Sequence, residues 1–178
     1  MNFKILHYAT LDSTNNYARE LANMGAKEGT VVLADYQTKG RGRFKRRWVS
    51  QRGKDLLFTV IVRPKNLKAS AASMITQLTA MSIRDVLKKE CGIQSRIKRP
   101  NDLLVEDKKI CGTLVEGSTQ SSSVEYLIVG IGLNVNSQKK ELVRGATSIY
   151  EVSRKKQDKE HLLQLILENF GVYFNKFK

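Results

Sequence analysis

The chain is poor in the residues that usually announce a metal centre or a disulfide framework. Its two cysteines, Cys91 and Cys111, lack the paired spacing of a zinc site, and its two histidines, His7 and His161, stand isolated in the sequence. Both cysteines therefore read as reduced core residues, and neither histidine is assigned a catalytic or metal-binding role. No run reaches the roughly 20 apolar residues that a bilayer-spanning helix needs. The opening MNFKILHYATLDST has no small-residue cleavage site of the secretory kind. A soluble, cytoplasmic protein is expected. No internal repeat and no interdomain linker interrupt the 178 residues, so one domain over 1–178 is expected, large enough to bury roughly 70% of its unfolded surface. Acidic residues are scarce as well: 17 stand against 31 basic ones, a net charge of +14. That balance favours partners bearing phosphate or carboxylate groups without saying which.

What is present has the composition of a globular protein, with 41% hydrophobic and 27% charged residues. DSTNN offers N-cap candidates for a short helix through YARELANM, which Gly25 would stop. TVVLA (Thr30 to Ala34) reads as a strand, and LLFTVIV (Leu56 to Val62) as a strand buried on both faces. Between them, Lys39 to Lys54 has no apolar periodicity and reads as a loop. Ala71, Met74, Ile75, Leu78 and Met81 recur at helical spacing up to a stop at Gly92, which predicts a core helix. IQSRI alternates like a strand, LLVEDKKICGTLVEG reads as two strands with a turn at Glu106 to Lys108, and VEYLIVGIGLNVN as another after an STQSSS turn. Leu163, Ile166, Leu167, Phe170, Phe174 and Phe177 place one apolar stripe on a C-terminal helix starting near Asp158. The expected fold class is α+β: a mostly antiparallel or mixed sheet with helices on one face.

One loop concentrates the charge. QTKGRGRFKRRW, from Gln37 to Trp48, carries six cations and no acid. Gly40 and Gly42 let a ligand lie against the main chain, and alternation with Arg41 and Arg43 sets guanidinium forks beside backbone N–H groups. The same composition suits a solvated basic loop or an arm on nucleic-acid phosphates. The only tryptophan, Trp48, at the end of the loop, and the further clusters KRPND, KKICG and GIGLNVN at later strand ends favour a small-molecule site. GIGLNVN lacks the third glycine of a dinucleotide fingerprint and reads as a strand whose small residues let something approach.

Taken in order, DSTN, YQTKGRGRFKRRW, KRPNDLL, KKICGTLVEG, GIGLNVN and GATSIYEV resemble the catalytic domain of the biotin protein ligases, from about Leu11 to Val152. The resemblance implies a fold related to class II aminoacyl-tRNA synthetases and two reactions. Biotin's carboxylate is first joined to the α-phosphate of ATP with release of pyrophosphate, and biotin then passes to a lysine of a biotin carboxyl carrier protein. It further implies that Arg41, Arg43 and Arg46 serve the phosphates and the biotin carboxylate, with Gly40 and Gly42 lining the pocket. Lys109 would lie at the reacting carboxylate and α-phosphate. Ser13, Thr14 and Gln37 would bind the ureido ring, Gly112 and Gly130 would face the biotin tail, and Trp48, Asn101 and Asn134 would form the adenine side. Asp102 would orient or deprotonate the acceptor lysine. No enzyme nucleophile is required. Mg²⁺ is expected with the ATP phosphates, its ligands unassigned.

Departures from the family pattern accompany the match. Arg99 stands where many members carry tryptophan, and neither a helix-turn-helix domain before Lys4 nor a small β-barrel domain after the last helix is expected. Sequence-specific DNA binding is accordingly not expected, and the oligomeric state is left open between monomer and homodimer. The rival readings are a lipoate ligase-like protein, a basic nucleic-acid-binding module, and a binding protein that does not ligate.

Overall fold

The computed structural model describes residues 1–64, 67, 72–120 and 123–177. Seven strands form one sheet: β1 (Lys4–Tyr8), β2 (Thr30–Ala34), β3 (Leu56–Val62), β4 (Arg96–Lys98), β5 (Asp102–Val105), β6 (Lys108–Gln120) and β7 (Ser123–Leu133). Their spatial order is β1-β2-β3-β7-β6-β5-β4, with β1 parallel to β2 and the other neighbours antiparallel. The mixed α+β class is as expected. β1 was not foreseen: KILHY is an edge strand with only partial burial, so its alternation is faint.

Among the described residues four α-helices accompany the sheet: α1 (Thr14–Asn23), α2 (Ala72–Cys91), α3 (Ile149–Ser153) and α4 (Lys159–Phe177). Side chains alternate across a strand, and the buried residues sort accordingly. Val31, Phe58, Val60, Val129 and Ile131 share one core with Ile75, Ile83, Ile166 and Phe170 of α2 and α4. Val32, Ile61, Tyr126 and Ile128 share the other with Ala18 and Ala22 of α1. The two long helices thus cover one face as expected, while short α1 lies across the opposite one.

Local signals hold in most places. β3 is buried at every position. Asp158 Oδ1 accepts from the amides of Glu160 and His161, capping α4 where the sequence placed its start. The β5–β6 turn uses Glu106 and Asp107, both at positive φ (47° and 63°), as a tight two-residue hairpin requires. Three expectations are corrected. β6 runs on through Ser118, Thr119 and Gln120, so most of STQSSS is strand, with residues 121–122 outside the described part. The strand read from IQSRI begins only at Arg96. Met74 is 50% exposed rather than core, because α2 turns Ile75, Leu78, Ile83 and Leu87 inward; Ala71 lies outside the described residues.

Candidate active site

On the α1 side of the sheet, cross-strand neighbours form rows. Ile61 of β3 faces Ile128 of β7, and both are buried beneath α1. The next rows are Thr59–Gly130–Leu114 and Leu57–Gly132–Gly112. Two successive glycines on β7 and one on β6 remove the side chains that would fill this face, and other side chains settle into the space. Asn15 enters over Gly130, where an added Cβ would lie 1.9 Å from its Oδ1. The Trp48 indole lies over Gly132 and Gly112, where a Cβ would come within 2.4 Å and 3.0 Å of it.

Beside these plugs opens a cavity of about 310 Å³. It gathers Ser13, Thr14, Gln37, Arg41, Arg43, Arg46, Trp48, Asn101, Asp102, Lys109, Gly112 and Gly130, together with Gly42 of the basic loop. Two residues expected there are elsewhere. Gly40 stands behind the wall, its carbonyl accepting from the Trp48 amide at 3.0 Å, and it is needed because a Cβ would meet the Trp48 carbonyl at 2.5 Å. Asn134 is buried and donates through Nδ2 to the Thr147 carbonyl at 2.9 Å, tying the end of β7 to the segment before α3. Gly130 does line the cavity, but the group it accommodates is Asn15.

The polar end is ordered by a chain of hydrogen bonds. Gln37 Oε1 accepts from both the Thr14 amide (2.7 Å) and the Thr14 hydroxyl (3.0 Å), so its Nε2 is the amide group left to donate. Thr59 Oγ1, fully buried, lies 2.8 Å from Thr14 Oγ1 and 2.8 Å from Asn15 Oδ1. Asn15 Nδ2 donates to the Leu114 carbonyl and to Glu116 Oε2.

Seven of the eight charged side chains lining the cavity are cations: Arg41, Arg43, Arg46, Arg47, Lys98, Arg99 and Lys109. Asp102 is the eighth. The basic loop folds as a narrow hairpin, with Arg41 bridging Arg47 and a 3₁₀ turn at Arg43–Lys45. Arg41 is tied back to the sheet: its Nη2 reaches Glu116 Oε1 at 2.7 Å, and its Nη1 reaches Asn16 Oδ1 at 2.8 Å. Arg19 also pairs with Glu116. Among the described residues Arg43, Arg46, Lys98 and Arg99 face no carboxylate. Lys109 Nζ lies 2.8 Å from Asp102 Oδ1, an ion pair whose angles fall outside hydrogen-bond geometry, and 5.3 Å from the centre of the Trp48 ring. The buried Trp48 Nε1–H has no acceptor among the described residues. So many unneutralised donors around one concavity suit an anionic ligand.

Asn15, Thr59, Glu116 and Gly132 were not singled out by sequence. Thr59 is a lone hydroxyl inside an all-apolar strand, which must find a partner. The spacing of Gly130 and Gly132 puts both on one face, but what fills that face comes from distant segments. No group of three His, Cys, Asp or Glu side chains able to hold a metal occurs among the described residues. No described helix is long and apolar enough to cross a membrane.

Residues 7–134 match the model of the biotin/lipoate A/B protein ligase family. Over 171 residues the chain is 39% identical to the bifunctional ligase/repressor BirA of Bacillus subtilis, covering 94% of this chain and 52% of that protein. It is likewise 39% identical over 129 residues to the biotin--[acetyl-CoA-carboxylase] ligase of Paracoccus denitrificans, covering 71% of this chain and 52% of that one. Among solved structures, biotin protein ligase from Aquifex aeolicus in complex with biotin and ATP superposes with a TM-score of 0.85 at 32% identity, over 98% of this chain and 72% of that one. The chain spans about half the length of the curated relatives it matches.

Proposed function

The chain belongs to the biotin/lipoate A/B protein ligase family, and from that premise we propose that it is a biotin protein ligase catalytic domain, residues 1–178, acting in the cytoplasm. It would activate biotin as biotinyl-AMP and transfer biotin to a lysine of a biotin carboxyl carrier protein. The observation that carries this reading is the cavity's polarity: an uncharged hydrogen-bonding end at Ser13, Thr14 and Gln37, and a cationic end at Arg43, Arg46 and Lys109. A ligand with a neutral ureido ring at one end and a carboxylate at the other matches that division.

The ureido carbonyl would accept from Gln37 Nε2, whose direction Thr14 fixes, and the ring N–H groups would find hydroxyl oxygens at Ser13 and Thr14. Burying such a ring without partners would cost about 1–3 kcal/mol per unsatisfied group. At the other end two anions must meet. Biotin's carboxylate oxygen attacks the α-phosphorus as the bond to the β-phosphate oxygen breaks, and pyrophosphate leaves with the electron pair. Lys109, a compact charge, offsets repulsion between carboxylate and phosphate, while Arg43 and Arg46 take the spread charge on the phosphoryl oxygens. Arg41 contributes by anchoring the loop and, where its pair with Glu116 loosens, by a further fork.

Trp48 supplies a flat face for adenine, and its unpartnered Nε1–H invites a ligand acceptor. Asn101 Nδ2 is spent on the Thr113 carbonyl at 2.9 Å, which leaves Oδ1 to receive the adenine amino group. In the second step the acceptor amine attacks the acyl carbon, AMP departs, and the surplus proton goes to Asp102. Mg²⁺ would arrive with the ATP phosphates, with Asp102 the one carboxylate among the described residues of the cavity wall to meet it. A carrier domain rich in acidic residues would be drawn to the cationic mouth.

The test is isotope exchange between pyrophosphate and ATP with biotin, lipoate or no acid, on the native chain and on Lys109→Ala. Biotin-dependent exchange that falls on the order of 10²- to 10³-fold in the variant is expected. Exchange with lipoate alone, or none with either acid, overturns the reading.

A further inference from the structure

Residues that share one face of a regular strand are an even number apart. On β5, Leu103 and Val105 belong to the core covered by α2 and α4, and Asp102 lines the cavity, which places Leu104 on the cavity face as well. Their partners on β6 are Gly112, opposite Asp102, and Lys109, opposite Leu104, and these two are three residues apart. A bulge absorbs the odd residue: Cys111 pairs with Leu103, Lys109 with Leu104, and Ile110 is left over. Ile110 and Cys111, although consecutive, are both buried in the same core. Unbroken alternation would carry Ile110 to the cavity face and turn Lys109 into the core. The bulge is therefore what sets the amine beside Gly112, where an added Cβ would lie 3.0 Å from Lys109 Nζ.

A bulge disrupts the ladder, and β7 stops short of Lys109 on the other side. Its last residue, Leu133, pairs with Cys111, and the Asn134 amide then donates to the Ile110 carbonyl at 2.9 Å. Beyond that point residues 145–147 take the place of β7, with Ala146 bridging Lys109 in parallel. The Lys109 amide donates to the Gly145 carbonyl at 2.8 Å, and the Lys109 carbonyl accepts from the Thr147 amide at 2.9 Å. Both main-chain polar groups of the lysine are thus held from outside the β5–β6 hairpin. Asn134 holds that segment in turn. Its Nδ2 donates to the Thr147 carbonyl at 2.9 Å, and its own carbonyl accepts from the Ile149 amide at 3.1 Å. Asn134 is 4% exposed and does not line the cavity.

We propose that Asn134 is a positioning residue for Lys109: by seating residues 145–147 on the Lys109 main chain, it fixes the bulge that aims the amine at the meeting point of carboxylate and α-phosphate. The inference rests on the ligase reading of the cavity and goes beyond it, giving Asn134 and the GATS stretch at Gly145 to Ser148 a part in the first reaction without contact to either substrate. An apolar side chain in place of Asn134 would fill the same buried space but leave the Thr147 carbonyl without its donor. The loss would be felt one residue away, at the bond between the Thr147 amide and the Lys109 carbonyl, and not at the ureido end of the cavity.

The test measures biotin-dependent pyrophosphate–ATP exchange on the full chain, on Asn134→Ala, on Lys109→Ala and on the double variant, each well below its folding transition. Asn134→Ala should lower kcat about tenfold, short of the roughly 10²-fold that a misplacement of about 1 Å can bring. The KM for ATP should stay within about twofold, as an effect confined to the transition state requires. In the Lys109→Ala background Asn134→Ala should alter the residual exchange by less than about twofold, because the two act in series. Gly145→Ala reaches the same contact from its other end. An added methyl group there meets no atom within 4 Å, so only the backbone at φ 81° opposes it. It should show the same loss in kcat and the same silence once Lys109 is gone, and it replaces Asn134→Ala should that variant not fold. An unchanged kcat, a raised KM for ATP with native kcat, or an equal further loss in the Lys109→Ala background would each overturn the proposal; the second would make Asn134 an adenine contact and the third a support of the fold at large. A native chain without biotin-dependent exchange would instead sink the ligase reading, and this inference with it.

Discussion

Lys109 Nζ and Asp102 Oδ1 stand 2.8 Å apart at the cationic end of the cavity, so the two groups proposed for successive steps neutralise each other. Asp102→Asn removes the charge and keeps the shape. Pyrophosphate–ATP exchange should stay within a few-fold of native, because Lys109 is freed rather than lost. Transfer to the carrier lysine should fall on the order of 10²-fold, the usual contribution of a positioned base. Equal losses in both steps would mean that Asp102 serves adenylation instead.

Gly132 gives the Trp48 ring its seat. Gly132→Ala would bring a methyl carbon to 2.4 Å from Trp48 Cε2 and push the indole off the sheet. Overpacking of that kind costs about 1–3 kcal/mol, so the KM for ATP should rise roughly 10- to 100-fold with biotin binding little changed. Trp48 is the only tryptophan, so its emission reports the displacement directly. An unaltered spectrum and an unaltered KM would show that the ring tolerates the methyl group.

The tip of the basic loop holds Phe44 and Lys45 at φ 54° and 59°, with Phe44 81% exposed. Non-glycine residues rarely adopt that region. Phe44, an apolar side chain held in solvent beside the cavity mouth, is well placed to cover a ligand. Trypsin should cut among Arg43, Lys45, Arg46 and Arg47 readily in the ligand-free chain and slowly with biotin and ATP, which would need shelter from water as the acyl-adenylate forms. Identical cleavage in the two states removes any covering role for the loop.

Asp55 is 1% exposed and accepts from the Val135 amide at 2.9 Å and the Ser137 hydroxyl at 2.7 Å. Burial nonetheless raises its carboxyl above the ordinary 3.8, against the lowering effect of those hydrogen bonds. The folded chain therefore holds this proton to higher pH than the unfolded chain. Its contribution to stability is fullest below 3.8 and is lost as pH rises through the higher folded value. Asp55→Asn cannot ionise, so the Tm difference between variant and native chain should move in the variant's favour as pH rises from about 3 to 7. A shift in the native chain's favour would reverse the sign.

How much of this was legible in the sequence depended on whether a signal was local. β3 and α4 could be read because burial wrote itself along a continuous stretch, every residue in LLFTVIV and one face in the last helix. β1 could not, since an edge strand buries too little to alternate. In the basic loop, residue types alone pointed to an anion site, but only the fold distinguishes Arg41, tied to Glu116, from Arg43, which faces no carboxylate. Gly130 was read as room for a ligand. The room was real and Asn15 occupied it, because a gap in one strand says nothing about which distant side chain will fill it.

The strands at the centre of the sheet, β3 and β7, are separated in sequence by α2 and three other strands, and β7 carries Gly130, Ile131 and Gly132 of the cavity wall. Such long-range pairing closes late in folding, since the entropy of the intervening loop must be overcome before the contacts form. Within the basic loop the Arg41–Arg47 bridge is short-range, but the anchors of Arg41 on Glu116 and of Trp48 over Gly132 wait on the same sheet. Until that pairing closes, the net charge of +14 has no pocket to direct it, and refolding in the presence of a polyanion should be slower than in its absence.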